Sequence, residues 1–124
     1  MSVAVAIDAL KEKAAEFGST PYLVTVGADG RAHVVSVRAI VDAPHLRVSA
    51  GRTSRANAGM NPSATLLWPA PAGEPYSLIV DGEVDLDDAD DGELVIRPTR
   101  AVLHRVADAS IDLPNCVPVE NGQS

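Results

Sequence analysis

Beyond residue 20 the apolar residues of this chain recur at every second position, in short runs separated by turn residues. A period of two belongs to strands that bury one face, so the chain is committed to a sheet rather than a bundle. Pro21 to Val26 reads as a first strand, and Gly27-Ala28-Asp29-Gly30 as a hairpin turn, because Gly and Asp accept the positive φ such turns need. Arg31 to Val41 reads as one long strand. His33, Val35, Val37, Ala39 and Val41 form its better core face; Ala32, Val34, Ser36, Arg38 and Ile40 form the other, polar at its centre as suits a ligand or subunit contact. After Asp42-Ala43-Pro44, a third strand runs from His45 to Ala50, with Leu46, Val48 and Ala50 inward. Ala64 to Trp68 is a fourth strand, and Tyr76 to Leu86 a fifth, bent at Asp81-Gly82. Glu93 to Ile96 and Ala101 to Val106 read as closing strands interrupted by Arg97-Pro98. Hairpin connections make the sheet mostly antiparallel, and strands at this spacing favour a small barrel, which leaves no exposed edge.

Two segments keep a helical period. Val3, Ile7, Leu10, Ala14 and Phe17 share one face of a helix predicted over residues 4–17, ended by Gly18. Ser54 to Met60 is predicted as a short helix with Thr53 or Ser54 as N-cap, stopped by Asn61-Pro62. At 124 residues the chain has room for one core. Residues 1–106 are assigned to the barrel domain and 107–124 to a surface arm or tail, since the latter hold little periodicity.

Charge is distributed unevenly. The net charge is -7, from 17 Asp+Glu and 10 Lys+Arg. Residues 31–57 hold five arginines (Arg31, Arg38, Arg47, Arg52 and Arg55) against Asp42 alone, a window of +4, which leaves -11 for the remainder. A cationic island on an anionic molecule suits a small anion, and guanidinium forks suit phosphate or carboxylate. The acidic balance and the scarcity of aromatic residues argue against a nucleic-acid surface. The turn Gly51-Arg52-Thr53-Ser54-Arg55-Ala56-Asn57 leads into a helix N-terminus, where free backbone N–H groups, the Thr53 and Ser54 hydroxyls and the Arg52 and Arg55 forks would complete an anion cradle. It lacks the P-loop spacing.

Other motifs have plainer readings. The run Asp85, Asp87, Asp88, Asp90 and Asp91 fails the calcium-loop spacing and reads as a solvated turn. His33, His45 and His104 are too scattered for a metal motif, and each reads as an ordinary strand residue. The single Cys116 rules out an intrachain disulfide and fits a reducing cytoplasm. No apolar run reaches membrane-spanning length and no signal peptide is read, so a cytoplasmic protein is expected. Because no acid–base pair stands out, any chemistry is expected to come from a bound cofactor.

Helix, strand, Gly-Ala-Asp-Gly turn, long strand, Arg-rich turn, short helix and then Asn61-Pro62-Ser63-Ala64-Thr65-Leu66-Leu67-Trp68-Pro69 together resemble the FMN-binding split-barrel proteins related to pyridoxamine 5'-phosphate oxidase. The resemblance spans roughly residues 5–84, with Asp81-Gly82-Glu83 a weaker match. It implies a mainly β fold: a six-stranded antiparallel split β-barrel with an N-terminal helix and a short helix after strand three, paired as a homodimer. It also implies FMN or a deazaflavin coenzyme in a groove between subunits. By the same resemblance, Ser36, Val37 and Arg38 fall beside the ring or ribityl chain, and Ser49 matches a hydroxyl residue on strand three. Arg52, Thr53 and Ser54 fall at the phosphate, and Arg55 and Asn57 are counted with them as cofactor-binding residues. The family usually carries Lys where this chain has Ser54. The segment from Asp87 to Gly92 leaves no room for the helix of larger members, so a complete pyridoxamine-phosphate substrate site is not expected.

Three readings stay open. One is a small dimeric flavin or deazaflavin oxidoreductase. The second is a non-catalytic split-barrel dimer that binds a phosphorylated or carboxylated small molecule, or no cofactor. The third is a structural dimer whose arginines pair with acids across subunits.

Overall fold

The computed structural model describes residues 2–42, 44–86 and 92–106. Its strands are β1 (Ser2–Val5), β2 (Tyr22–Val26), β3 (Ala32–Ser36), β4 (Ala39–Asp42), β5 (His45–Ser49), β6 (Ser63–Trp68), β7 (Tyr76–Asp85) and β8 (Glu93–Arg105). Two helices accompany them, α1 (Leu10–Ala15) and α2 (Arg52–Met60), with a 3-10 turn at Ile7–Ala9. All pairings are antiparallel. Seven strands follow one path, β3-β2-β6-β7-β8-β5-β4, and β1 adds to β8. The fold is thus the expected antiparallel half-barrel with two short helices, built from more than six strands.

The extra strands have local causes. The predicted strand 31–41 is two strands, β3 and β4, which lie at opposite ends of the path. Between them the backbone is bonded on both sides: Val37 and Ala39 donate to the Pro21 and Ser19 carbonyls at 2.9 and 2.8 Å, and the Arg38 carbonyl accepts from Ser49 N at 3.0 Å. The bend therefore passes the chain from one edge of the sheet to the other and closes the barrel through a covalent link. The face assignment holds across it, with Val37 and Ala39 buried and Val34, Ser36, Arg38 and Ile40 exposed.

The predicted helix over 4–17 is corrected. Its first residues form β1, paired with Ala101–His104 of β8, and α1 occupies only Leu10–Ala15. Val3 and Ile7 fit the helical period but are exposed, because β8 offers an unpaired edge that residues 2–5 satisfy. Gly18 does end the helical segment, at φ 95°.

The two closing strands are one continuous β8. Pro98 is accommodated because the register shifts opposite Asp81/Gly82: Gly82 faces Pro98 while Asp81 faces Arg100. Thr99 is the additional residue, and its hydroxyl donates to the Asp81 carbonyl at 3.2 Å. Gly82 is required there by close approach, since a Cβ would lie 2.6 Å from the Arg97 carbonyl oxygen.

The core is a single cluster. Leu23, Leu46, Leu66, Trp68, Leu78, Val80, Leu94 and Ile96 fill the barrel, and Leu10, Ala14 and Ala58 bring both helices onto it. The Trp68 indole donates Nε1–H to the Gly18 carbonyl at 2.9 Å, tying β6 to the end of α1. Of the acidic turn predicted at 87–92, residues 87–91 lie outside the described residues, as do the arm at 107–124 and Cys116.

Candidate functional site

The bend between β3 and β4, the end of β5 and the start of α2 enclose one open groove with two lobes. The first, about 440 Å³, is lined by His33, Val35, Ser36, Val37, Ser49, Ala50, Gly51, Arg52, Thr53, Ser54 and Gly92. The second, about 520 Å³, is lined by Thr20, Ser36, Val37, Arg38 and Ser49. Ser36, Val37 and Ser49 line both, so the lobes adjoin. A reciprocal pair of bonds fixes the wall between them: Arg38 N donates to Ser49 Oγ at 3.1 Å, and Ser49 N donates to the Arg38 carbonyl at 3.0 Å.

The head of α2 opens onto the first lobe. Its N-cap is Gly51, in extended backbone, and no side chain caps the helix. This corrects the expectation that Thr53 or Ser54 serves as the cap, because both already lie within the first turn. Early N–H groups of that turn have no partner inside the helix. Ser54 is buried, and its Oγ has no hydrogen-bond partner among the described residues. A buried hydroxyl without a partner is costly and points to a group that would complete it.

The arginines divide into two classes. Arg31 pairs with Asp29 at 3.9 Å, and Arg47 with Asp42 at 3.9 Å and Glu93 at 3.7 Å. Arg38, Arg52 and Arg55 form no ion pair among the described residues. Of these, Arg38 lines one lobe and Arg52 the other, whereas Arg55 lines neither.

The structure therefore gathers seven of the residues anticipated from sequence: Ser36, Val37, Arg38, Ser49, Arg52, Thr53 and Ser54. Arg55 and Asn57 stand apart. Asn57 turns toward β2, where its Nδ2 donates to Thr25 Oγ1 at 3.2 Å. Thr25 is wholly buried, so this bond anchors α2 to the barrel. Gly51, the first residue of the anticipated turn, lines the groove too, and so do Thr20, His33, Val35, Ala50 and Gly92, which were not anticipated as site residues. For His33 a signal existed, since it shares the inward face of β3 with Val35 and Val37. Thr20 and Gly92 come close only through the sheet closure.

A more enclosed cavity of about 300 Å³ lies elsewhere, among Lys13, Glu16, Phe17, Pro71, Glu74, Tyr76 and Leu103. Its Lys13 and Glu16 satisfy each other at 3.4 Å. No cluster of three or more His, Cys, Asp or Glu suited to a metal ion occurs among the described residues. No helix among them is long and apolar enough to cross a membrane.

No family model matches the chain. An uncharacterized protein of Mycobacterium bovis is 36% identical over 121 residues, covering 85% of this chain and 84% of its own length. One of Mycobacterium tuberculosis matches to the same extent. Among solved structures, an F420 reductase superposes with a TM-score of 0.56 at 23% identity, over 67% of this chain and 88% of its own. A FAD-binding protein from Mesorhizobium loti gives 0.59 at 14% identity, over 83% and 96%. A Listeria innocua protein assigned as a pyridoxamine 5'-phosphate oxidase gives 0.53 at 14% identity, over 78% and 98%. The chain belongs to one family with the two mycobacterial proteins, and its fold is the split barrel of the proteins related to pyridoxamine 5'-phosphate oxidase.

Proposed function

We propose that this protein binds a phosphorylated flavin or deazaflavin in the two-lobed groove and acts as a small dimeric oxidoreductase. The observation that carries this is the buried, unpartnered Ser54 Oγ at the head of α2, beside an Arg52 that forms no ion pair among the described residues. A phosphate oxygen would satisfy the hydroxyl, the first-turn N–H groups and the guanidinium together. That an F420 reductase and a FAD-binding protein share the fold supports a ligand of this kind.

In this reading Arg52, Thr53 and Ser54 hold the phosphate. Ser36, Val37, Arg38 and Ser49 orient the remainder along the second lobe. The bound ring would supply the electron or hydride transfer. No Asp, Glu, Lys or Cys lines either lobe among the described residues, so the chain's own part is binding, orientation and exclusion of water.

A second copy of the chain would roof the groove. Val24 stands opposite Val34, and Tyr22 opposite both Ser36 and Leu67, on the outer face of the barrel. Tyr22 and Val34 are 42% and 56% exposed, and Ser36 links this apolar face to the groove. Burial of such a face between protomers would make the site a shared one.

Titration of the purified protein with FMN, FAD and the deazaflavin coenzyme tests the proposal. Arg52→Ala should weaken binding about tenfold to a hundredfold, the loss of one charge-assisted bond worth about 1.5–3 kcal/mol. Arg55→Ala should leave affinity unchanged, because Arg55 lies outside the groove. Absence of binding to all three ligands, or equal effects of the two substitutions, would refute it.

A further inference from the structure

We infer that His33 is the proton-carrying partner of the bound anion: it takes up a proton as the phosphate arrives and sets an imidazolium beside Arg52. This deepens the proposed function and rests on its placement of a phosphate at the head of α2.

The position of His33 follows from strand pairing. Thr25 is its cross-strand neighbour; Thr25 is wholly buried and His33 half-buried. Thr25 Oγ1 accepts from Asn57 Nδ2 at 3.2 Å, so this stretch of α2 lies against the pair. Thr53 and Ser54 precede Asn57 by about one helical turn and share its side of α2. His33 therefore stands next to the face of α2 whose first turn carries the unpartnered Ser54 Oγ. It lines the same lobe as Arg52, Thr53 and Ser54.

The charges around it leave this role to His33. Among the described residues, Arg52 and His33 are the only side chains of the lobe that carry or can take a positive charge, and no carboxylate lines it. Arg38 lines the adjoining lobe. On the hairpin that holds His33, Arg31 and Asp29 pair with each other at 3.9 Å. On β5, Arg47 is held by Asp42 and Glu93. His33 forms no ion pair and no side-chain hydrogen bond among the described residues. Its ring nitrogens thus answer to solvent and to a ligand.

Imidazole is the side chain whose charge ordinarily changes between about pH 5 and about pH 8. The doubly protonated ring offers two N–H donors, and a neighbouring phosphate favours that form over the neutral one. Binding therefore strengthens as pH falls. The gain is complete where His33 is protonated before the ligand arrives, and it is lost as pH rises past the midpoint of the bound state. An opposite charge within about 4–6 Å moves such a midpoint up by about one pH unit or more. That corresponds to about tenfold in affinity between the two limits.

NMR of the histidine ring C–H signals on the full chain tests this, since the chain has 3 histidines in all. They are followed from about pH 5 to about pH 9, free and saturated with FMN, FAD or the deazaflavin coenzyme, whichever is found to bind. The His33 midpoint is expected to rise by about one pH unit on saturation. His45 and His104, which line neither lobe, should keep theirs. Affinity for the same ligand is then compared between wild type and His33→Gln, whose amide hydrogen-bonds without taking a charge. Taking their ratio at each pH cancels the ionisation of a ligand monoester, which occurs at about pH 6. The wild-type advantage should be about tenfold at about pH 5.5 and fall below about threefold at about pH 8.5. A His33 midpoint that does not move, or an advantage equal at the two pH values, overturns the inference and leaves the proposed function standing. Failure of all three ligands to bind removes the proposed function, and the inference with it.

Discussion

Replacing Asn57 by Ala distinguishes a residue that builds the site from one that touches a ligand. In the structure its Nδ2 donates to Thr25 Oγ1 at 3.2 Å, and Thr25 is 0% exposed. Truncation removes that bond and leaves the Thr25 hydroxyl buried without this donor. A lost hydrogen bond that strands a buried polar group costs about 1–3 kcal/mol. For a domain of this size that corresponds to roughly 4 °C of melting temperature per kcal/mol. Thr25→Val added to Asn57→Ala removes the stranded hydroxyl at nearly constant volume. The double variant should therefore recover part of the loss, with a coupling of about 0.5–3 kcal/mol. Urea unfolding followed by circular dichroism measures all four proteins of the cycle. Ligand affinity, extrapolated to the fully folded fraction, should change little. If Asn57→Ala keeps its stability but loses affinity a hundredfold, Asn57 is a ligand contact and the anchoring role is wrong. If the double variant shows no recovery, the bond to Thr25 is not the source of the cost.

Further outcomes follow from the same geometry. Gly82→Ala places a Cβ 2.6 Å from the Arg97 carbonyl oxygen and 2.7 Å from Ile96 Cγ2, so the bulge must shift; a destabilisation of about 1–3 kcal/mol is expected in urea unfolding. Val34→Lys puts a charge on the apolar outer face of β3 and should convert a dimer into a monomer in sedimentation, with the fold retained. A wild-type protein that sediments as a monomer at micromolar concentration would remove the shared-site arrangement instead. Arg52→Ala and Arg55→Ala, compared by ligand titration, should separate as described above, with the Arg52 effect about tenfold or more.

The strand periodicity exposed much of the barrel. Alternation along β2, β5, β6 and β7 is a local property, enforced wherever one face is buried, so these strands and the inward set Leu46, Val48 and Ala50 were legible. The turn at Gly27–Gly30 was legible for the same reason: Gly30 N donates to the Gly27 carbonyl at 2.9 Å, a bond closed within four residues. The break at Val37–Arg38 was not legible, because nothing in Val-Ser-Val-Arg-Ala-Ile interrupts the alternation. The chain changes partners there only because Pro21, Ser19 and Ser49 already occupy its two sides. Residues 2–5 show the opposite failure. Their apolar spacing is helical, yet they are drawn onto a free stretch of β8 some hundred positions away.

The site divides along the same line. Sequence alone determined that guanidinium and hydroxyl groups are concentrated at the start of a short helix, because composition and spacing are properties of neighbouring residues. It also determined which face of the 31–41 segment is polar. Tertiary structure decided which cations remain available. Arg31 and Arg47 are claimed by carboxylates, Arg38 and Arg52 come to the two lobes of one groove, and Arg55 lines neither lobe. It also turned Asn57 into an anchor and left the Ser54 hydroxyl buried without a partner. The physical reason is that ion pairing and desolvation depend on distance in space, and barrel closure brings together residues whose separation along the chain predicts nothing about it.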